Sequence, residues 1–146
     1  MLAFGPGKGS WPGGFMRRVL PFLLCTLVFS NPAEAGQAAC SVESQTFDSK
    51  DVLCVIPAGG TMQRGFEFIA RFSGSHDDTR VSMRPSLDGR PLTCEEGSRN
   101  ELFGEDGNVS LNCRFAVPAA QQTEARLKVT IRWSHAEYTD YTLEGR

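Results

Sequence analysis

From Cys40 onward, apolar and polar side chains alternate with a period of two. Between positions 109 and 117 the odd residues are Val109, Leu111, Cys113, Phe115 and Val117, and the even ones Ser110, Asn112, Arg114 and Ala116. Successive side chains of a strand point to opposite faces, so this run is a strand with one buried side. Leu127, Val129, Ile131 and Trp133 repeat the pattern against Arg126, Lys128, Thr130 and Arg132. Phe66, Phe68, Ala70 and Phe72 make a third apolar face, opposite Glu67, Ile69 and Arg71. Val81 and Met83 mark a shorter fourth strand between Arg80 and Arg84. Fainter alternation marks residues 41–47, 51–56, 90–94 and 138–143 as further strands.

Turn formers punctuate these runs. Pro57-Ala58-Gly59-Gly60 ends one and Gly74-Ser75-His76-Asp77-Asp78 another, while Asp88-Gly89 predicts a two-residue hairpin between Met83 and Leu92. Pro118 stops the 109–117 run, and only residues 119–125 suit a turn of helix. Seven or eight short strands at this spacing predict an all-β fold, an antiparallel two-sheet sandwich. A small closed β-barrel is the alternative. Cys113 on a buried face resembles an immunoglobulin-like arrangement in architecture, without that family's full Cys…Trp…Cys signature.

The first 35 residues follow another pattern. Arg17 and Arg18 precede an apolar run over 19–29, and Ala33-Glu34-Ala35 follows as a cleavage signal. Residues 16–35 therefore read as a secretory signal peptide. Eleven helical residues rise about 17 Å against a hydrocarbon core of roughly 30 Å, too little for a span. A twin-arginine export signal is the rival reading of Arg17-Arg18. A lipid anchor would want a small residue before Cys25 and an apolar one three before Cys40, where Leu24 and Gln37 stand. Residues 1–15 are rich in Gly and suit no n-region, so translation is expected to start at Met16. The chain thus divides into a leading segment over 1–15, a signal peptide over 16–35 and one sandwich domain over 36–146.

Cysteine usage agrees with export. Cys25 leaves with the signal peptide, and Cys40, Cys54, Cys94 and Cys113 remain as an even set, which implies two disulfides. Of three pairings, Cys40–Cys54 with Cys94–Cys113 is expected, because each closes a local excursion between strands. Each closure stabilises by about 3 kcal/mol. Zinc would want closer cysteine pairs than these. A domain of this length buries roughly 65% of its unfolded surface and leaves no room for a second. Residues 36–146 hold 12 basic and 16 acidic side chains, a net charge of −4. That balance gives no global attraction to nucleic acid.

Candidate chemistry is sparse. Ser75-His76-Asp77-Asp78 has the letters of a hydrolytic triad, but adjacent side chains point apart and cannot form the relay. His76 with Asp77 and Asp78, or His135 with Glu137, could ligate a metal only if both histidines met, since copper and zinc want three or four donors. Asp106-x-Asn108 lacks the regular oxygens and final Glu of a calcium loop. Asn108-Val109-Ser110 is formally a glycosylation sequon. Between Cys94 and Cys113 the chain is acidic and polar, and there Leu102 and Phe103 stand out. They either plug one end of the sandwich or form an exposed anchor on a tethered loop, with Arg99 and Glu101 as its rim. Outward positions carry Arg71, Arg80, Arg84, Arg114, Arg126, Lys128 and Arg132; where their strands adjoin, a sheet face is basic. Tyr138 and Tyr141 are read as packing around a turn.

These features describe an exported, disulfide-stabilised, non-enzymatic binding module in the periplasm or outside the cell. It would work by surface recognition of a protein or anionic envelope polymer, as a hydrolase inhibitor or envelope accessory factor does. The expected binding residues are Arg99, Glu101, Leu102 and Phe103, with no cofactor, no resident metal and no transmembrane span in the mature chain. The alternative is a small periplasmic metal-binding protein or enzyme using His76 and His135.

Overall fold

Alternation of side chains generates two sheets whose apolar faces meet. The computed structural model describes residue 9 and residues 38–59, 64–118 and 123–146. The readings of 1–15 (residue 9 apart), of the signal peptide over 16–35 and of residues 119–122 of the helical turn over 119–125 lie outside the described residues; of the rest of that turn, Ala125 already begins a strand. Among those described there is no helix, and the strands are β1 (Ala39–Gln45), β2 (Ser49–Ile56), β3 (Arg64–Ser75), β4 (Arg80–Leu87), β5 (Arg90–Pro91), β6 (Glu101–Phe103), β7 (Gly107–Val117), β8 (Ala125–Ser134) and β9 (Glu137–Gly145). One sheet has the order β1-β2-β8-β4-β5 with β6 also on β4, and the other the order β7-β3-β9. Every pairing is antiparallel. The immunoglobulin likeness holds for this two-sheet architecture. After β2 the chain passes repeatedly from one sheet to the other, and β3 lies between β7 and β9 in the smaller sheet.

The core is the sum of the inner faces. Phe68, Phe72 and Phe115 are its largest fully buried side chains, joined by Val52, Ile56, Met83, Leu111, Leu127 and Ile131. Every apolar face read from the sequence is turned inward, with Trp133 half-buried at its end. Val109 through Val117 bury alternate residues against β3, with Phe66 opposite Phe115 and Phe72 opposite Val109. In β9 the register slips between Arg71 and Phe72 of β3, leaving Thr139 as an extra residue. This bulge lets Tyr138 and Tyr141, three apart, both reach the inner face, where they meet Phe72 and Phe68. They pack within a strand rather than around a turn.

Two local readings change. The expected strand over 90–94 pairs only at Arg90–Pro91, since Pro91 donates no backbone bond and the chain then leaves for Cys94. The loop after it returns as β6, so the strands among the described residues number nine rather than seven or eight. Asp88 and Gly89 do form the tight hairpin, with φ of 51° and 78° and Leu87 paired to Arg90. Pro85 lies inside β4, where its missing donor faces the side on which β6 and β5 each cover only part of the strand. The β8 ladder therefore loses nothing.

Both expected disulfides form. Cys40 and Cys54 stand directly opposite on β1 and β2, 4.0 Å apart at Cα. Cys94–Cys113 ties the chain leaving β5 to the fully buried Cys113 of β7. Replacing Cys40 and Cys54 together by Ser should lower the unfolding free energy by about 3 kcal/mol in denaturant titrations. The Cys94/Cys113 double replacement should cost about the same, because each pair has one fully buried member, Cys54 or Cys113.

Candidate functional site

Three connections are held at one end of the sandwich by a single buried residue. Thr79, fully buried at the start of β4, accepts the His76 backbone N–H on its hydroxyl at 2.8 Å and donates that hydroxyl to the His135 carbonyl. Its own N–H bonds the His76 carbonyl at 2.9 Å, and its carbonyl accepts the Gly104 N–H at 3.0 Å. The β3–β4 turn, the β8–β9 turn and the exit from β6 are thereby fixed together. The β1–β2 turn joins them through Trp133 N–H to the Asp48 carbonyl, 3.0 Å. Gly104 runs so close to Asp77 that a Cβ would stand 3.0 Å from its carbonyl oxygen, and its φ of +60° also favours Gly.

On this frame β6 divides its side chains. Leu102 is 2% exposed in the core, whereas Phe103, next in sequence, is 64% exposed. Phe103 stands opposite Arg80 on β4, whose guanidinium lies 5.7 Å from the ring centroid. Beside them runs a groove of about 630 Å³ lined by Thr46, Asp48, Arg80, Glu101, Phe103 and Arg132, among others. A second hollow of about 410 Å³ lies on the other side of Phe103, against Asp77, Asp78 and His135. The turn that supplies Thr46 and Asp48 also carries Phe47, 90% exposed. Two large apolar side chains thus stand in water at one end of the molecule.

The two outer faces differ in how their charges are balanced. On the three-stranded sheet, Glu67 accepts from Asn112 at 2.8 Å and from Arg114 at 3.3 Å, and Arg71 pairs with Asp140 at 2.8 Å. The Asn112 amide, with Arg114 behind it, holds the Glu67 carboxyl below its ordinary range. On the six-stranded sheet Lys128 pairs with Glu43 and Arg126 with Glu124. Asp51 accepts from Thr130 at 2.7 Å and Ser44 at 2.8 Å, and these bonds keep its pKa low. Arg80, Arg84 and Arg132 are exposed and form no ion pair among the described residues. The cations expected to share one basic face are thus split. Arg71 and Arg114 lie on the smaller sheet, and the other five lie on β4 and β8, which adjoin.

The four residues expected to bind are separated as well. Arg99 bridges to Asn112 of β7 and pairs with Glu105, so it leaves the neighbourhood of Glu101. Leu102 is core. Glu101 and Phe103 remain together on the outer face, beside Arg80 and Arg132. The two histidines do meet, with ring centroids 5.6 Å apart, edge to face. His76 Nδ1 accepts the Asp78 N–H at 3.3 Å, and no group of three or more His, Cys, Asp or Glu among the described residues is placed to hold a metal. Ser75 is buried with its hydroxyl unpartnered, so no relay links it to His76. No helix among the described residues is long and apolar enough to cross a membrane. The sequence reading gave no inward role to Lys50, which is 9% exposed with its ammonium 4.0 Å from the Tyr138 ring centroid. Its place inside follows from pairing with Ile131, a long-range register that local alternation does not reveal.

Comparison of the chain with protein-family models and with curated proteins finds no match.

Two outcomes test this frame. Thr79→Val keeps the shape but orphans the His76 N–H and the His135 carbonyl, so it should lower stability by about 1–3 kcal/mol. The Tyr138 phenol is pushed up to about 12, first by burial and then by the neighbouring Tyr141 and Asp140 charges. A raised phenol contributes stability in full below its ordinary pKa near 10, and this is lost as pH rises toward 12. Only two tyrosines are present, so tyrosinate absorbance should show a component near pH 12 that Tyr138→Phe removes.

Proposed function

We propose that the protein is an exported binding module that recognises a protein or envelope component through the outer face and turn end built around Phe103. Two disulfides fit folding in an oxidising, extracytoplasmic compartment, and within that class the periplasm or the cell exterior is our reading. The observation that carries the function is the split of Leu102 from Phe103. A three-residue strand buries one side chain and holds its neighbour out in water, against Arg80, where exposure of a large ring brings no stability. Aromatic and Arg side chains on a fixed backbone are the usual anchors of interfaces, since little freedom is lost on docking. Glu101 is the one rim residue of the expected pair that shares this face. Nothing in this reading calls for catalysis or a cofactor.

A second reading, metal handling through His76 and His135, draws on the meeting of their rings. It needs further donors from a partner or from solvent, and titration with zinc or copper followed by histidine NMR signals tests it.

The anchor reading makes a paired prediction. Leu102→Ala should cost about 2–5 kcal/mol of stability, as core truncations do. Phe103→Ala should leave the melting curve nearly unmoved and weaken capture of the native partner by roughly 2 kcal/mol or more. A Phe103→Ala protein that binds unchanged would remove this end from the functional account.

A further inference from the structure

The register of β4 and β8 arranges three cations that make no ion pair in a line. Arg80 and Arg84 lie four residues apart on β4, both outward, so they are separated by roughly 13 Å along the strand. Arg132 of β8 stands opposite Ser82, midway between them, and is a diagonal neighbour of each at roughly 7–8 Å. Three like charges at such spacing repel one another, and no carboxylate of the described chain makes a direct ion pair with any of them, Asp51 acting on Arg132 only at longer range. Paired cations further along, Arg126 and Lys128, show that the same face can supply counter-ions where none are needed from outside. Glu101, opposite Ser82 on β6, and Asp48, on the far wall of the groove, bound the positive strip on its two sides. Anionic groups therefore fit along the β4–β8 line and not across it.

An extended peptide advances roughly 6.6 Å between side chains on one of its faces. Carboxylates at three alternate positions span the distance from Arg80 to Arg84, with the middle one at Arg132. At the Arg80 end of this line stands Phe103, 64% exposed. A highly charged polymer without apolar side chains would satisfy the arginines and leave that ring in water. A protein segment can cover both.

We infer that the strip takes an extended acidic segment of a protein partner, with alternate carboxylates on Arg80, Arg132 and Arg84 and an apolar side chain against Phe103. This rests on the binding-module reading above and names the chemistry of its partner. Guanidinium groups suit the role, because their fixed donors grip carboxylates in pairs.

The test uses three probes against the disulfide-bonded protein, followed by backbone and arginine side-chain NMR shifts. The first is a synthetic peptide with glutamates at three alternate positions, threonines between them and a leucine at one end. The second has the same composition with its glutamates contiguous, and the third is polygalacturonate. The first should shift β4, β8 and β6 signals, bind about tenfold or more tightly than the second, and weaken steeply with salt. Changing Arg80, Arg84 and Arg132 together to Gln should weaken it by about tenfold or more, while Arg126→Gln, which removes a cation already paired with Glu124, should not. All these positions are exposed, and an unmoved melting curve verifies that the variants fold. Polygalacturonate binding as tightly as the first peptide, equal binding of both peptides, or no shift with any probe would overturn the inference. A native partner whose capture depends on Phe103 but not on the three arginines would also overturn it, leaving the binding-module reading standing. Capture indifferent to Phe103 would instead strike that reading itself.

Discussion

One buried hydroxyl holds the Phe103 end of the sandwich in place. Thr79 is where the β3–β4 turn, the β8–β9 turn and the end of β6 share hydrogen bonds. The sandwich needs such a junction because its chain crosses between sheets at this end. A crossing connection exposes backbone groups that neither sheet ladder can satisfy, and a buried group left unpaired costs about 1–3 kcal/mol. Thr79 satisfies four backbone groups of these connections with one side chain and its own N–H and carbonyl. The position of Gly104, and through it the angle at which Phe103 leaves the sheet, follows from that arrangement.

The sequence disclosed what depends on near neighbours and on period. Alternation placed Val109 through Val117 and Leu127 through Ile131 correctly, because burial on one face forces apolar residues to every second position. Asp88-Gly89 disclosed its turn, since few residues accept two positive φ angles in succession. The pairing of Cys40 with Cys54 followed from short closure between adjacent strands. Hidden from such reading was everything set by a distant partner. β6 exists because β4 offers an open edge at Arg80 to Ser82; its outward Phe103 breaks the alternation that would have announced a strand. The Thr139 bulge likewise reverses the apparent faces of Tyr138 and Tyr141. For the same reason Arg99 and Glu101, two apart in sequence, read as one rim although they lie against opposite sheets.

The charge pattern carries information that composition conceals. A net charge of −4 over residues 36–146 suggests no basic surface, yet the acids are distributed unevenly. On the three-stranded sheet Glu67 and Asp140 neutralise Arg114 and Arg71. On the larger sheet neutralisation stops short of Arg80, Arg84 and Arg132. Exposed ion pairs contribute little to stability, so folding exerts almost no pressure to complete the set. The same indifference makes the uncompensated arginines cheap to keep for another purpose.

The proposed placing of recognition on strands has an energetic consequence. Loops lose freedom when they bind, and each ordered side chain adds to the cost. Arg80, Arg84 and Arg132 instead project from paired backbone whose register is fixed by buried neighbours such as Val81, Met83 and Ile131. Phe103 is held in the same way by Leu102 beneath it and by Arg80 at its side. A substitution in the core that slipped β4 by one residue would turn all its outward cations inward. On the proposed reading, stability and recognition are carried by alternate residues of the same strands. Changes at the inward set reach binding through the register, whereas changes at the outward set leave the fold intact, and that asymmetry is what allows the outer face to vary independently of the sandwich that carries it.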